Sequence, residues 1–205
     1  MREAVLKKPP VLLVPGIAFD YAMLFWKFIL EFNGFSVEIV ELYRLFATKT
    51  IDEQARILSA AVDKALKKYR AQKCCLVGFS LGTAVSLRYI QKMAGNKKVA
   101  KCVNVVPPFG GTRRYLVLTA PAGIFIKSLW DIFPGSRFLE EIRFGNTGET
   151  EISVVCGRED LLCSRMADLS FAKNIISVDG GHIAIYCGLN QDAIAAVISL
   201  LSSKK

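Results

Sequence analysis

Residues 74–82 read Cys74-Cys75-Leu76-Val77-Gly78-Phe79-Ser80-Leu81-Gly82, an apolar run that ends in a GxSxG pentapeptide. With a helical pattern following over Gly82 to Met93, the segment reads as a buried strand, a tight turn and a helix. In such an elbow the serine occupies a strained turn, its hydroxyl projects from the C-terminal edge of the sheet, and Gly78 and Gly82 let the backbones pack closely. The pentapeptide alone arises by chance in about one chain in fifteen of this size, but its setting between strand and helix makes Ser80 a candidate nucleophile. A serine nucleophile needs a base to take its proton. The chain holds one histidine, His182, in what reads as a glycine-rich loop, Gly180-Gly181-His182-Ile183, so one residue alone can supply an imidazole.

On both sides of the elbow short apolar runs alternate with helical patterns, the signature of a parallel sheet covered by helices on both faces. Strands are predicted at Val11 to Val14, Ser36 to Leu42, Lys73 to Phe79, Val99 to Val106, Glu151 to Cys156 and Asn174 to Val178, about six in all. Helices are predicted over Tyr21 to Phe32, from the capping box Thr50/Glu53 to Arg70, over Gly82 to Met93 with a stop at Gly95-Asn96, and over Asn190 to Leu201. The fold class is therefore α/β, a mainly parallel sheet in one domain spanning residues 1–205. The stretch 107–150 interrupts the alternation with four prolines and the glycine pair Gly110-Gly111, and reads as an insertion.

The acid that orients the imidazole follows the serine and precedes the histidine, at a strand end. Asp131, Asp160, Asp168 and Asp179 satisfy the order. Asp160 is preferred, because the turn Gly157-Arg158-Glu159 places it just past a strand; Asp179 is the runner-up and Glu159 a lesser candidate. An oxyanion hole needs two backbone N–H groups aimed at the developing charge. Leu81, the residue after the nucleophile, supplies one. The loop Pro15-Gly16-Ile17-Ala18 can supply the other through Ile17 N–H.

A chain of 205 residues with net charge +9 and 52% hydrophobic residues is long enough for one well-buried core. Its positive mean hydropathy calls for a buried sheet, an exposed apolar surface, or both. No run approaches the roughly 20 apolar residues of a spanning helix, and no signal-peptide pattern is visible. The basic residues are scattered and accompany no nucleic-acid motif, so nucleic acid is not an expected partner; solubility or attraction to an anionic membrane surface fits better. The six cysteines have no CxxC spacing and read as small core hydrophobes, with Cys74 and Cys75 pointing to opposite faces of a strand. No metal or cofactor is expected. A reduced, cytoplasmic setting follows from the cysteine pattern, while a mature secreted form would lack a leader too.

Collectively these residues resemble the small lipases and esterases of the α/β-hydrolase superfamily, especially compact class-2 bacterial lipases of the Bacillus lipase A type. The resemblance runs from Val11 to the final helix and rests on Val14-Pro15-Gly16-Ile17, Gly78 to Gly82, Lys98-Val99-Ala100, Gly110-Gly111-Thr112 and Gly181-His182-Ile183. Two departures stand out: Pro15-Gly16 replaces the family's His-Gly, and the segment between Ser80 and Asp160 is longer, the excess falling in 107–150. The resemblance implies a minimal α/β-hydrolase fold with an inserted lid-like segment.

That insertion carries Tyr115 to Leu118, Ile124 to Ile126, Leu129, Trp130, Ile132, Phe133, Phe138 and Leu139, with Arg113, Arg114, Lys127 and Arg137 among them. Such content suits a lid or acyl-chain wall drawn to anionic interfaces, or an added helical layer over the core. Met23 to Phe32 read as a core helix before a lipid-facing one. The expectation is a metal-free serine hydrolase of lipophilic carboxylic esters, acting through an acyl-enzyme on Ser80. The same residues would serve an acyltransferase or a thioesterase, or stand inert in a lipid-binding protein of this fold. Oligomeric state is not legible.

Overall fold

The computed structural model describes residues 8–17, 20–42, 49–111, 127–163 and 169–203. Its frame is one sheet of six strands in the order β2-β1-β3-β4-β5-β6, every neighbouring pair parallel. The strands are β1 Val11–Val14, β2 Val37–Ile39, β3 Cys74–Phe79, β4 Val99–Val105, β5 Glu151–Gly157 and β6 Asn174–Val178. β3, which ends at the elbow, is buried along its whole length, because helices cover both faces of a parallel sheet.

Side chains of β3 alternate between two cores as the strand period requires. Cys74 and Leu76 join one cluster, and Cys75, Val77 and Phe79 join the other. The neighbouring cysteines thus face opposite ways, and all six cysteines are free thiols.

The first core lies under α2 Ile51–Tyr69, α3 Leu81–Lys92, α4 Lys127–Asp131 and α5 Arg137–Phe144. The second lies under α1 Asp20–Phe32, α6 His182–Tyr186 and α7 Gln191–Ser202. α2 starts at the expected capping box: Thr50 Oγ1 accepts from Glu53 N at 3.3 Å, and Glu53 Oε2 accepts from Thr50 N at 2.7 Å. It ends where Arg70 turns left-handed, at φ 51°.

Two expectations change. β2 spans three residues and not Ser36 to Leu42, because as an edge strand it pairs only with Val11, Leu12 and Leu13. His182 opens the short helix α6 and not a loop. Of the two readings of the insertion, its described part takes the second, an added helical layer: α4, the turn after it and α5 bury Leu129, Ile132, Phe138, Leu139 and Ile142 in the first core. Residues 112–126, the heart of the expected lid, lie outside the described residues.

α1 is apolar on two faces. Ala22, Met23, Trp26 and Leu30 are buried, whereas Tyr21, Leu24, Phe25, Phe28 and Phe32 stand exposed. Each large side chain buried here stabilises the fold by about 1.5–3 kcal/mol, and Trp26 also satisfies its indole by donating to Tyr186 O at 2.9 Å. Among the described residues no helix is long and apolar enough to cross a membrane.

Candidate active site

The site forms where β3, β4 and β5 and the turn after β6 end, at one edge of the sheet. Ser80 links β3 to α3 with φ 48° and ψ −120°, a region costly for any residue with a side chain. The surroundings hold it there. Ser80 N donates to Val105 O at 2.9 Å, and Ser80 O accepts from Thr83 N at 3.0 Å and Thr83 Oγ1 at 2.6 Å.

The two elbow glycines are required by contact, not by dihedral angle. A Cβ on Gly82 would stand 2.1 Å from Val14 O and 2.5 Å from Pro15 O, and one on Gly78 would meet Thr83 Cα at 2.9 Å. The bare Gly82 lets α3 begin directly against the end of β1, and the bare Gly78 lets the first turn of α3 lie against β3. Ser80 is the N-terminal cap residue of α3, yet its hydroxyl makes no capping bond. It lies 3.1 Å from His182 Nε2 instead.

His182 Nδ1 lies 2.8 Å from Asp160 Oδ2, and Ser80, Asp160 and His182 are all buried. The other carboxylate oxygen, Asp160 Oδ1, accepts from Leu162 N at 2.9 Å and Cys163 N at 3.0 Å. Two backbone donors therefore fix the acid while one oxygen remains for the imidazole. With Nδ1–H donated to Asp160, Nε2 presents its lone pair to the serine hydroxyl.

The rival acids stand elsewhere. Asp179 is exposed and pairs with Arg158; Asp131 accepts from Ile51 N at the start of α2; Glu159 is exposed. Asp168 lies outside the described residues.

Leu81 is the first residue of α3, so its N–H belongs to the four that an α-helix leaves without an internal acceptor. Gly16 N donates to Tyr186 Oη at 3.0 Å, which anchors the loop after β1 and leaves Ile17 as the next N–H along it.

Two residues of this site were not singled out in the sequence. Tyr186 accepts from Gly16, lies nearly parallel to the His182 ring with centroids 6.3 Å apart, and packs edge-on against Phe79. Its position four residues after His182 on one helix is the signal that would have revealed it. Cys163 places its thiol 3.6 Å from His182 Nδ1 and donates to Val106 O at 3.7 Å. Burial, reinforced by the Asp160 charge, holds that thiol well above its usual range. Val106 itself, β-branched, sits at φ 45°, a second strained position beside the elbow.

No family model matches the chain, and no curated protein matches it. Solved structures do. The mature form of Bacillus licheniformis lipase BlEst2 is 16% identical over 97% of this chain and 94% of its own, with a TM-score of 0.79. Aspergillus fumigatus lipase B is 16% identical over 97% of this chain, with a TM-score of 0.71. A thioesterase domain from the curacin biosynthetic pathway is 17% identical over 96% of this chain, with a TM-score of 0.64. The chain spans about half of the Aspergillus lipase (53%) and of the propeptide form of the Bacillus lipase (51%). At such identities the likeness is one of fold, and by its parallel sheet, its elbow and this likeness the chain has the α/β-hydrolase fold.

Proposed function

We propose that the protein is a serine hydrolase of lipophilic carboxylic esters. The observation that carries the reading is the buried chain of contacts from Ser80 Oγ to His182 Nε2 (3.1 Å) and from His182 Nδ1 to Asp160 Oδ2 (2.8 Å). As Ser80 attacks the ester carbonyl, His182 Nε2 takes the hydroxyl proton, and Asp160 orients and stabilises the imidazolium. The oxyanion is held by the N–H groups of Ile17 and Leu81, each such donor contributing about 3–4 kcal/mol to transition-state stabilisation. The imidazolium returns the proton to the departing alkoxide, and water, activated by the same nitrogen, releases the acid from Ser80. No metal enters these steps.

The apolar surface beside the site supports a lipophilic substrate and contact with lipid. Ile183, in α6, and Leu189, just after it, are exposed. Phe25 of α1 packs so closely on Gly188 that a Cβ there would stand 2.9 Å from its ring, which joins the exposed face of α1 to the histidine turn. The test is hydrolysis of p-nitrophenyl esters from acetate to palmitate. Turnover is expected to favour longer acyl chains and to fall by about 10⁴-fold or more in Ser80→Ala, with folding retained. Undiminished turnover by that variant overturns the assignment.

A further inference from the structure

Three donors converge on the Nδ1 side of the imidazole, the side away from Ser80. A carboxylate oxygen of Asp160, Cys163 Sγ and a ring nitrogen of His182 lie within 4.8 Å of one another, and all three residues are buried. Cys163 Sγ is 3.6 Å and Asp160 Oδ2 2.8 Å from His182 Nδ1. Asp160 Oδ1 is occupied by two backbone donors, so Oδ2 is the oxygen that serves this cluster. Among the described residues it is the one such group of three. We propose that Asp160, Cys163 and His182 Nδ1 form an inhibitory site for a thiophilic divalent cation of the zinc class. The consequence for activity rests on the hydrolase reading above; the ligand set does not.

The spacing fits a tetrahedral ion. Metal–nitrogen and metal–sulfur bonds of about 2.0–2.1 and 2.3 Å, at a tetrahedral angle, put nitrogen and sulfur about 3.6 Å apart. That is the separation found between His182 Nδ1 and Cys163 Sγ, 3.6 Å. A carboxylate oxygen on the same ion stands about 3.3 Å from the nitrogen, so the separation of His182 Nδ1 and Asp160 Oδ2 must widen from 2.8 Å and Oδ2 must swing off the line of the Nδ1 lone pair, which the ion takes. Water completes the four positions. A sulfur, a nitrogen and an oxygen select zinc or cadmium over magnesium or calcium, which require oxygen ligands. Thiolate and carboxylate together cancel the charge of the ion, as a buried site demands.

The inhibition follows from the proton balance. When the ion binds, Cys163 Sγ loses its proton to solvent and exchanges its bond to Val106 O for one to the metal. His182 gives its Nδ1 lone pair to the metal, and the ring proton moves to Nε2. The metal stays divalent and nothing is oxidised or reduced. Nε2–H can no longer accept the Ser80 proton, which is the wrong-tautomer defect of a triad that has lost its acid.

The experiment uses chelator-treated full-length protein in four forms: wild type, Cys163→Ala, Cys163→Ser and Ser80→Ala. Cadmium chloride is titrated while the ultraviolet thiolate-to-cadmium absorption is followed, and zinc chloride is titrated against p-nitrophenyl butyrate turnover, each variant scaled to its own metal-free rate. One equivalent of cadmium is expected to raise the band in wild type and Ser80→Ala and in neither Cys163 variant. Zinc inhibition should be reversed by EDTA and weaken in both Cys163 variants by more than the roughly 10–100-fold that loss of an outer-shell partner costs. No band in wild type, a band that survives loss of Cys163, or undiminished zinc inhibition in the Cys163 variants overturns the site. A Cys163-dependent band in a protein without esterase activity upholds the site and rejects the hydrolase reading instead.

Discussion

Replacing Gly82 with alanine tests how closely the elbow and the oxyanion loop are coupled. The added Cβ would stand 2.1 Å from Val14 O, 2.5 Å from Pro15 O and 2.8 Å from Val14 C, all main-chain atoms that cannot rotate away. Ordinary C···O contacts begin near 3.3 Å, so α3 and the end of β1 must part by about 1 Å. β1 is bound on both sides, to β2 and β3, and cannot yield cheaply. Overpacking of this kind costs about 1–3 kcal/mol, and with two carbonyls in the way the upper end applies. For a domain of this size that lowers Tm by about 6–12 °C. The same displacement separates Leu81 from Ile17, and a misplacement of about 1 Å can cost about 100-fold in kcat. Gly181→Ala is the control: its Cβ would find only Glu159 O, at 3.7 Å, and its φ of −90° suits any residue. Differential scanning calorimetry and ester turnover on both variants decide the matter. A Gly82→Ala protein with wild-type Tm and kcat refutes the close approach as the device that builds the site.

Asp160→Asn should lower kcat by about 10⁴-fold while leaving thermal stability nearly unchanged, because the amide can still accept from Leu162 and Cys163 but favours the wrong tautomer. Stopped-assay turnover with a melting curve checks it. Tyr186→Phe leaves the buried Gly16 N–H without its acceptor and should cost about 1–3 kcal/mol in urea denaturation, with kcat falling more than KM rises as the oxyanion loop loosens. The Arg88 guanidinium donates to Asp52 and to Glu141, and these hydrogen bonds are the main cause that holds both carboxyls below their usual range. A carboxylate depressed by folding stabilises above its unfolded pKa of about 4 and ceases to do so as pH falls through its folded value. Arg88→Met should therefore be less stable than wild type at pH 7, by about 1 kcal/mol for such half-buried pairs. The gap should narrow in strong acid, as read by urea denaturation at both pH values.

Much of the site could be read from residues alone, for identifiable reasons. The elbow declares itself because burial forces an apolar strand directly against glycines whose contacts leave no room for a Cβ. The start of α2 was marked by a local hydrogen-bond box that needs no tertiary information. Spacing favours Asp160 over Asp179 without excluding the latter, since both follow strands. What separates them is direction: backbone donors turn Asp160 inward, while Arg158 draws Asp179 to solvent. Tyr186 lies four residues after His182, but a helix of five residues is too short to show a period, so that spacing becomes a signal only once the helix is known. Cys163 looked like a core filler, since its approach to Nδ1 is made by the turn after β5 and not by any sequence spacing. The two faces of α1 were equally obscure, as an all-apolar helix does not reveal which side meets the sheet.

The central claim is that Ser80 is activated by His182. Intact-mass analysis and peptide mapping after treatment with a fluorophosphonate test it directly. The account predicts one adduct per chain, on Ser80, absent in Ser80→Ala and strongly slowed in His182→Ala. A protein that takes up no probe, or takes it up on another residue, would contradict it.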